Sequence, residues 1–350
     1  MTLIVDLRSD TVTRPSPAMR RAIAEAEVGD DVLGDDPTVI RLQEKSAELL
    51  GKPAALYVPS GSMANGLSIR AVCEHGDEII CSSTTHSYNY ETAAPAALAG
   101  VSMWFIGDER GMFHGRDIAP AIRAKNSHFP NSRMVIVENT NNRGGGAIWP
   151  VAQVADVGAA CREHQLHLHM DGARLLNACV ALGVPATHYT RHVDSVSLCF
   201  SKGLGAPVGS IVAGSKEFIA RCHRFRKMFG GAMRQAGLLA AAAIYALEHN
   251  VERLAEDHAN AKFLAERLAE MPGIRIDPRS VQTNIVIFGV DTKLGGAAQL
   301  AERFEAAGVR CMAAGPAHIR MVTHLDAPRA AIERAVVAIA EVCGAHAAAM

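Results

Sequence analysis

The chain carries almost no net charge. Across its 350 residues, 35 Lys and Arg stand against 36 Asp and Glu, which leaves −1 at pH 7. That balance provides no basic field for nucleic acid or a membrane surface. No apolar run reaches the ~20 residues of a transmembrane helix. Met1-Thr2-Leu3-Ile4-Val5-Asp6 has no basic segment ahead of an apolar stretch, so no secretory leader is expected. Internal repeats, low-complexity segments and Cys-X-X-Cys pairs are all missing. The eight cysteines are scattered, and several sit inside apolar runs. Buried free thiols in a reducing compartment are therefore expected rather than disulfides, which points to the cytoplasm. What is present is a globular composition, 49% hydrophobic and 20% charged, in a chain long enough for two or three domains.

The apolar pattern alternates between two periods. Short runs that read as strands are Glu78–Cys81, Val101–Phe105, Met134–Val137, Leu166–Met170, Val193–Phe200 and Gly209–Val212. Helical patterns lie between them near Met63–Cys73, Arg116–Ala124 and Val151–Glu163. Earlier, Ser16-Pro17 opens a helix, and a second runs from about Pro37 to Gly51. This alternation predicts an α/β fold with a mostly parallel sheet covered on both faces. After Gln235 the texture changes to long alanine-rich helical stretches ending at Pro272-Gly273. Asn284–Val290, Ile319–Thr323 and a helix from Pro328 to Val342 then form a smaller α/β unit. The expected division is a large domain over residues 1–248 and a small one over 249–350, with the first 15 residues packing on either.

Two residues at strand ends stand out. Lys202, in Ser201-Lys202-Gly203-Leu204-Gly205, follows the run Val193–Phe200; Asp171 closes the run Leu166–Met170. A lysine that joins an aldehyde and a carboxylate that pairs with a pyridine nitrogen are what a protein supplies to pyridoxal phosphate. In open α/β sheets such ligands bind at the carboxyl ends of strands. Taken alone, Lys202 reads as a surface charge and Asp171 as a helix cap. The small neighbours Ser201, Gly203 and Gly205 favour the cofactor reading, because they let a bulky group approach the backbone. A lysine in that pocket loses solvation, which favours the neutral amine as nucleophile.

Other positions are weaker alone. Arg174, three residues after Asp171, would fork onto a substrate carboxylate or remain a solvated helix charge. Pro59-Ser60-Gly61-Ser62-Met63-Ala64-Asn65 joins a short apolar run to a helix, and is either a phosphate cradle or an ordinary turn and cap. His86 is a candidate for ring stacking or general base, and His128 is similar. His167 and His169 alternate along a strand without a third ligand spaced for zinc, so they are expected to pack in the sheet, and no metal is expected. Gly144-Gly145-Gly146 lacks the helix and ribose-binding acid of a dinucleotide site.

Together these residues resemble a family, the low-specificity L-threonine aldolases. The resemblance rests on Asp6-Leu7-Arg8-Ser9-Asp10-Thr11-Val12-Thr13-Arg14-Pro15, Gly29-Asp30-Asp31-Val32-Leu33-Gly34-Asp35-Asp36-Pro37-Thr38 and the Pro59–Asn65 turn. It continues through Glu138-Asn139-Thr140, Asp171-Gly172-Ala173-Arg174, Ser201–Ser210, Arg226-Lys227-Met228, Met233-Arg234-Gln235 and Arg320-Met321-Val322-Thr323-His324-Leu325-Asp326. These segments span residues 6 to 326 in the family's order.

The resemblance implies an aspartate-aminotransferase-like fold of type I, with pyridoxal phosphate as cofactor and a homotetramer with active sites at subunit interfaces. It implies that Lys202 attaches the cofactor, Asp171 meets the ring nitrogen, His86 stacks on the ring, and Gly61 and Ser62 hold the phosphate. Ser9, Arg174 and Arg320 would bind the amino-acid carboxylate. His128 would lie near the substrate hydroxyl, and Arg234 would reach the phosphate of a neighbouring subunit. The implied reaction is cleavage of L-threonine, L-allo-threonine and related L-β-hydroxy-α-amino acids to glycine and an aldehyde. His86 and His128 are both candidate bases. Rival readings are transamination, racemisation or β-elimination on the same fold, and a catalytically inactive binding protein. The chain departs from the family at Leu33 (usually tyrosine), at Asn141 (usually histidine) and at Thr92-Ala93-Ala94-Pro95 (usually glycine-rich). Leu33 is expected to make the substrate pocket more apolar and to suit bulkier substrates such as phenylserine.

Overall fold

The computed structural model describes residues 4–348; Met1–Leu3, part of the stretch read for a leader, lie outside the described residues. Its strands are β1 (Val5–Asp6), β2 (Ala54–Val58), β3 (Asp77–Cys81), β4 (Ser102–Phe105), β5 (Asn131–Glu138), β6 (His167–Asp171) and β7 (Ser195–Cys199). They continue with β8 (Ser210–Gly214), β9 (Ile274–Arg275), β10 (Ile285–Val290), β11 (Val309–Arg310), β12 (Met312–Ala313) and β13 (His318–Val322). Seven form the central sheet, in the order β2-β8-β7-β6-β5-β3-β4. From β7 to β4 every neighbouring pair is parallel, and β8 and β2 are antiparallel at the other edge. Strands β3, β7 and β8 are buried along their whole length, as are the last five residues of β5. This explains why they read as continuous apolar runs rather than alternating ones: helices cover both faces of the sheet. Because β5, β6 and β7 run in the same direction, their carboxyl ends, Glu138, Asp171 and Cys199, share one edge of the sheet.

Local chemistry sets the helix ends. Ser16 accepts a hydrogen bond from the Met19 N–H at 3.1 Å and opens Pro17–Ala24; Asp36 caps Pro37–Leu49 through the Thr38 and Val39 N–H groups. Ser60 caps Gly61–Val72 by accepting from Met63 N–H at 3.2 Å. The helix expected over Arg116–Ala124 is instead one 3-10 turn, Gly115–Asp117, and one short turn, Ile118–Ala121. Pro120 is the reason: a helix starting at Arg116 would need the Pro120 N–H that does not exist.

The large sheet and the C-terminal unit have separate apolar cores. One core, on the large sheet, has its main cluster running from Met19 to Leu254 in sequence, with two smaller clusters beside it. The other gathers Ala261, Leu264, Phe288, Leu300, Phe304, Met321 and Ile332 around a four-stranded antiparallel sheet in the order β12-β13-β10-β9. Val5 and Leu7 belong to this second core, and β1 pairs in parallel with β11. The N-terminal segment thus packs on the C-terminal unit, which carries Arg8, Ser9 and Asp10 toward β13. All eight cysteines are free, and seven are buried.

Candidate active site

The carboxyl edge of β5, β6 and β7 opens into a pocket lined by Gly61, Ser62, Asn65, His86, Glu91, Glu138, Thr140, Asn142, Asp171, Ala173, Arg174, Cys199, Ser201 and Lys202. Gly61 and Ser62 begin the helix Gly61–Val72, so their N–H groups have no partner inside it and are free for an anion. Gly61 is required there: a Cβ at this position would lie 2.7 Å from Cys199 Sγ. The glycines beside Lys202 have another purpose than the one expected. A Cβ on Gly203 would lie 2.9 Å from Leu254 Cδ2, and one on Gly205 (φ +78°) 2.5 Å from Leu325 Cδ2. They let the Lys202 loop pack on neighbouring leucines and leave the pocket side to the lysine. Lys202 Nζ makes no hydrogen bond among the described residues.

A hydrogen-bonded cluster fixes the floor. Asp171 is buried; its Oδ2 accepts from Asn65 Nδ2 at 2.8 Å and its Oδ1 from Ala173 N–H at 3.1 Å. Burial alone would raise its carboxyl, but His86, Lys202 and the Asn65 amide hold it below the ordinary carboxylate value. Glu138 faces Asp171 in register and accepts from the His86 N–H at 2.7 Å and the Asn142 N–H at 2.8 Å. Burial, then the Asp171 charge, push Glu138 up to about 7. Glu91 Oε1 bonds His86 Nδ1 at 2.7 Å and accepts from Asn65 Nδ2 at 2.9 Å. Burial works against the charged imidazole of His86, yet Glu91, Asp171 and Glu138 raise it above the ordinary histidine value. His86, Glu91 and Asp171 also place one ligand atom each within 4.8 Å of one another. Asn65 already donates to both carboxylates of this trio.

One guanidinium, Arg174, lines the pocket, and a second, Arg320, lies beside it on the lining residue Asn142. Arg174, 5% exposed, pairs with the fully buried Asp10 through Nε at 2.7 Å and Nη2 at 2.6 Å. Its third nitrogen, Nη1, is left for a ligand. Arg320 of β13 donates from Nη2 to Asn142 Oδ1 at 2.9 Å and from Nη1 to the Arg8 carbonyl at 3.2 Å; its buried Nε has no partner among the described residues. Burial and the neighbouring Arg174 lower it to about 10. Two adjacent cations with one shared anion, Asp10, make a receptor for a further carboxylate. Ser9 lies between Arg8, which meets Arg320, and Asp10, which meets Arg174.

Of the expected residues, Ser9 and Arg320 stand beside this pocket without lining it, and His128, Leu33 and Arg234 (the last expected at a neighbouring subunit's phosphate) lie away from it in their own chain. His128 is exposed on a turn before β5, whereas the pocket is at the far end of that strand. Seven strand steps separate Asn131 from Glu138, roughly 23 Å. Leu33 is 74% exposed on a turn outside the pocket, so it does not line the apolar wall expected of it in its own chain. Arg234 is exposed and donates to Asp30 Oδ2 at 2.9 Å on that same turn. Around them the Gly29–Thr38, Arg226–Met228 and Met233–Gln235 segments converge: buried Arg226 pairs with Asp31 at 2.9 Å and Asp36 accepts from the Gly237 N–H. The Asn141 departure is structural. This side chain is buried, donates to Thr84 Oγ1 at 3.0 Å and accepts from the Gly144 N–H at 2.7 Å, while Asn142 faces the pocket. At the third departure, Thr92 and Ala93 take left-handed φ values of 49° and 59°, where glycine would be unstrained. His167 and His169 pack in the sheet as expected, bridged by Ser195 Oγ at 2.7 and 2.9 Å.

Asn65, Glu91, Glu138, Asn142 and Asp10 carry roles that sequence reasoning did not assign. Glu138 had a usable signal: like Asp171, it closes an apolar run.

Comparison with known proteins shows the family and the fold. The beta-eliminating lyase family profile matches residues 6–292. The chain is 43% identical over 326 residues to a probable low-specificity L-threonine aldolase 2 of Arabidopsis thaliana, covering 91% of this chain and 92% of that one. It is likewise 43% identical over 327 residues to the low specificity L-threonine aldolase of Escherichia coli strain K12, covering 93% and 95%. In fold it is similar to a threonine aldolase of Leishmania major, with a TM-score of 0.80 at 19% identity, covering 95% and 98%. The chain therefore belongs to the beta-eliminating lyase family, among its low-specificity L-threonine aldolases.

Proposed function

We propose that this protein cleaves L-threonine, L-allo-threonine and related L-β-hydroxy-α-amino acids to glycine and an aldehyde, using pyridoxal phosphate. The observation that carries this reading is the convergence, in one pocket, of a lysine, a buried ionised carboxylate and the Arg174 guanidinium, with Arg320 behind it on the lining residue Asn142. The pocket fits the cofactor. Asp171 is buried yet held ionised, as a pyridinium partner must be. The start of the helix Gly61–Val72 offers N–H groups for a phosphate, and the glycine there leaves no Cβ in the way. Lys202 would attach the cofactor and His86 would stack on its ring. Bound there, pyridoxal phosphate supplies a sink for the electron pair released at Cα.

The chain's own residues do the remaining work. Arg174 Nη1 and Arg320 grip the substrate carboxylate, with Ser9 beside them. That grip orients the Cα–Cβ bond for cleavage. His86, raised by its acidic neighbours, exchanges the β-hydroxyl proton at Nε2. His128 enters only from a neighbouring copy, given its distance along β5. A homotetramer fits the same view: Leu33, Arg234 and Met228 are exposed at 74%, 58% and 63% on the face where three of the family segments converge. There Arg234 would reach a neighbouring copy's phosphate. Separate cores support a large and a small unit, with the large core reaching Leu254 and the N-terminal Val5 and Leu7 packing on the small one. No helix among the described residues is long and apolar enough to cross a membrane. Buried free thiols suit the cytoplasm.

The test is product analysis with L-threonine and added pyridoxal phosphate. Glycine and acetaldehyde in equal amounts are expected. Ammonia with a 2-oxo acid would replace this reading by β-elimination.

A further inference from the structure

The pocket holds a buried amide whose hydrogen bonds are all satisfied. Asn65 projects from the helix Gly61–Val72 and is 4% exposed. Its Nδ2 donates to Glu91 Oε1 at 2.9 Å and to Asp171 Oδ2 at 2.8 Å, while its Oδ1 accepts from Ser197 Oγ at 3.2 Å. Both carboxylates accept only, so the amide has one orientation. Glu91 in turn bonds His86 Nδ1 at 2.7 Å, and its buried Oε2 has no partner among the described residues. A carboxylate at Nδ1 places the proton on that nitrogen and leaves the Nε2 lone pair open.

We propose that Asn65 and Glu91 are positioning residues. Asn65 pins the Glu91 carboxylate, and Glu91 holds the His86 imidazole by Nδ1 so that Nε2 is the nitrogen that exchanges the substrate's β-hydroxyl proton. This rests on the aldolase reading above. It explains why a glutamate is buried in the turn just after His86, and it ties His86 to Asp171 through one amide.

The titratable groups facing His86 are Glu91 on its own turn, Glu138 at the end of β5 and Asp171 at the end of β6. Lys202 and Arg174 line the same pocket, and the Tyr90 ring lies 5.3 Å from the imidazole. Together the anions raise His86, so the free base is lost as pH falls through that raised value. Removing the Glu91 charge should therefore move the acidic limb of kcat/KM to lower pH.

Glu91→Gln keeps the shape and removes the charge. The expected result is a plateau kcat/KM lower by about 10–100-fold or more, the lower figures being those for carboxylates that orient a metal-bound histidine, together with a limb at lower pH. Glu91→Asp, which keeps the charge, should keep the limb near its wild-type position. The His86 imidazole signal, assigned by its loss in His86→Asn, is titrated by NMR in the holoenzyme in parallel. It should titrate at lower pH in Glu91→Gln than in wild type. An equal loss of kcat/KM at every pH with an unmoved NMR titration would overturn the proposal. So would a limb that survives in His86→Asn, since it would belong to Glu138. A wild-type protein that releases no aldehyde counts against the aldolase reading alone, because the NMR comparison needs no turnover.

Discussion

Alanine in place of Lys202 is expected to reduce aldehyde release from L-threonine by on the order of 10⁴-fold or more, with the fold intact. The amine makes no hydrogen bond among the described residues, so none is lost, only its attraction for the buried Asp171 and Asp10. The loop around it is held by Gly203 and Gly205 packing on Leu254 and Leu325. Asp171 and the start of the helix Gly61–Val72 stay in place, so the variant should still bind pyridoxal phosphate, but without a covalent link. Reduction with borohydride should fix the cofactor to wild type and leave it removable from Lys202→Ala. A variant that retains a fixed cofactor, or more than a few per cent of activity, would move the attachment point elsewhere.

The second large effect is expected at Asp10. Asp10→Asn removes the counter-charge of Arg174, which is 5% exposed and bound through two nitrogens. Breaking a buried pair from one side typically costs about 3–5 kcal/mol, because the remaining charge is left uncompensated. Stability from denaturant unfolding should fall by that order. KM for threonine should rise as well, since Arg174 then lacks the anchor that aims its free nitrogen. The pair also gives a sign to the acid limit of stability. Burial would raise the Asp10 carboxyl, but Arg174, Lys202 and Arg320 hold it well below the usual carboxylate range. A depressed folded value contributes stability above the unfolded value of about 4, lost as pH falls below it. Asp10→Asn should flatten that loss; an unchanged acid transition would show that the pair carries little of it.

The sequence spoke most clearly where chemistry and periodicity coincide. Lys202 and Asp171 each close an apolar run, and parallel strands put such residues on one edge. Gly61 and Ser62 were visible as a turn into a helix. Residues whose partners are far away in sequence were not legible in role. Arg174 reads as a substrate arginine, yet two of its nitrogens belong to Asp10, which lies 164 residues earlier. Asn65 and Glu91 lie in a helix turn and a loop whose pattern says nothing of the amide that joins them. Leu33 and Arg234 were assigned to chemistry by resemblance, and in this chain they sit on an exposed face outside the pocket. His128 was placed by its match, whereas strand direction puts it at the opposite end of β5. The glycines beside Lys202 were noticed for a cofactor and turn out to accommodate leucines.

The central claim is a carboxylate grip and a proton-exchanging histidine arranged around one stereochemistry at Cα. The most direct measurement is aldehyde release from the four stereoisomers of threonine with pyridoxal phosphate present. Release from L-threonine and L-allo-threonine, and from neither D isomer, is the predicted result; release from a D isomer, or from none of the four, would contradict it.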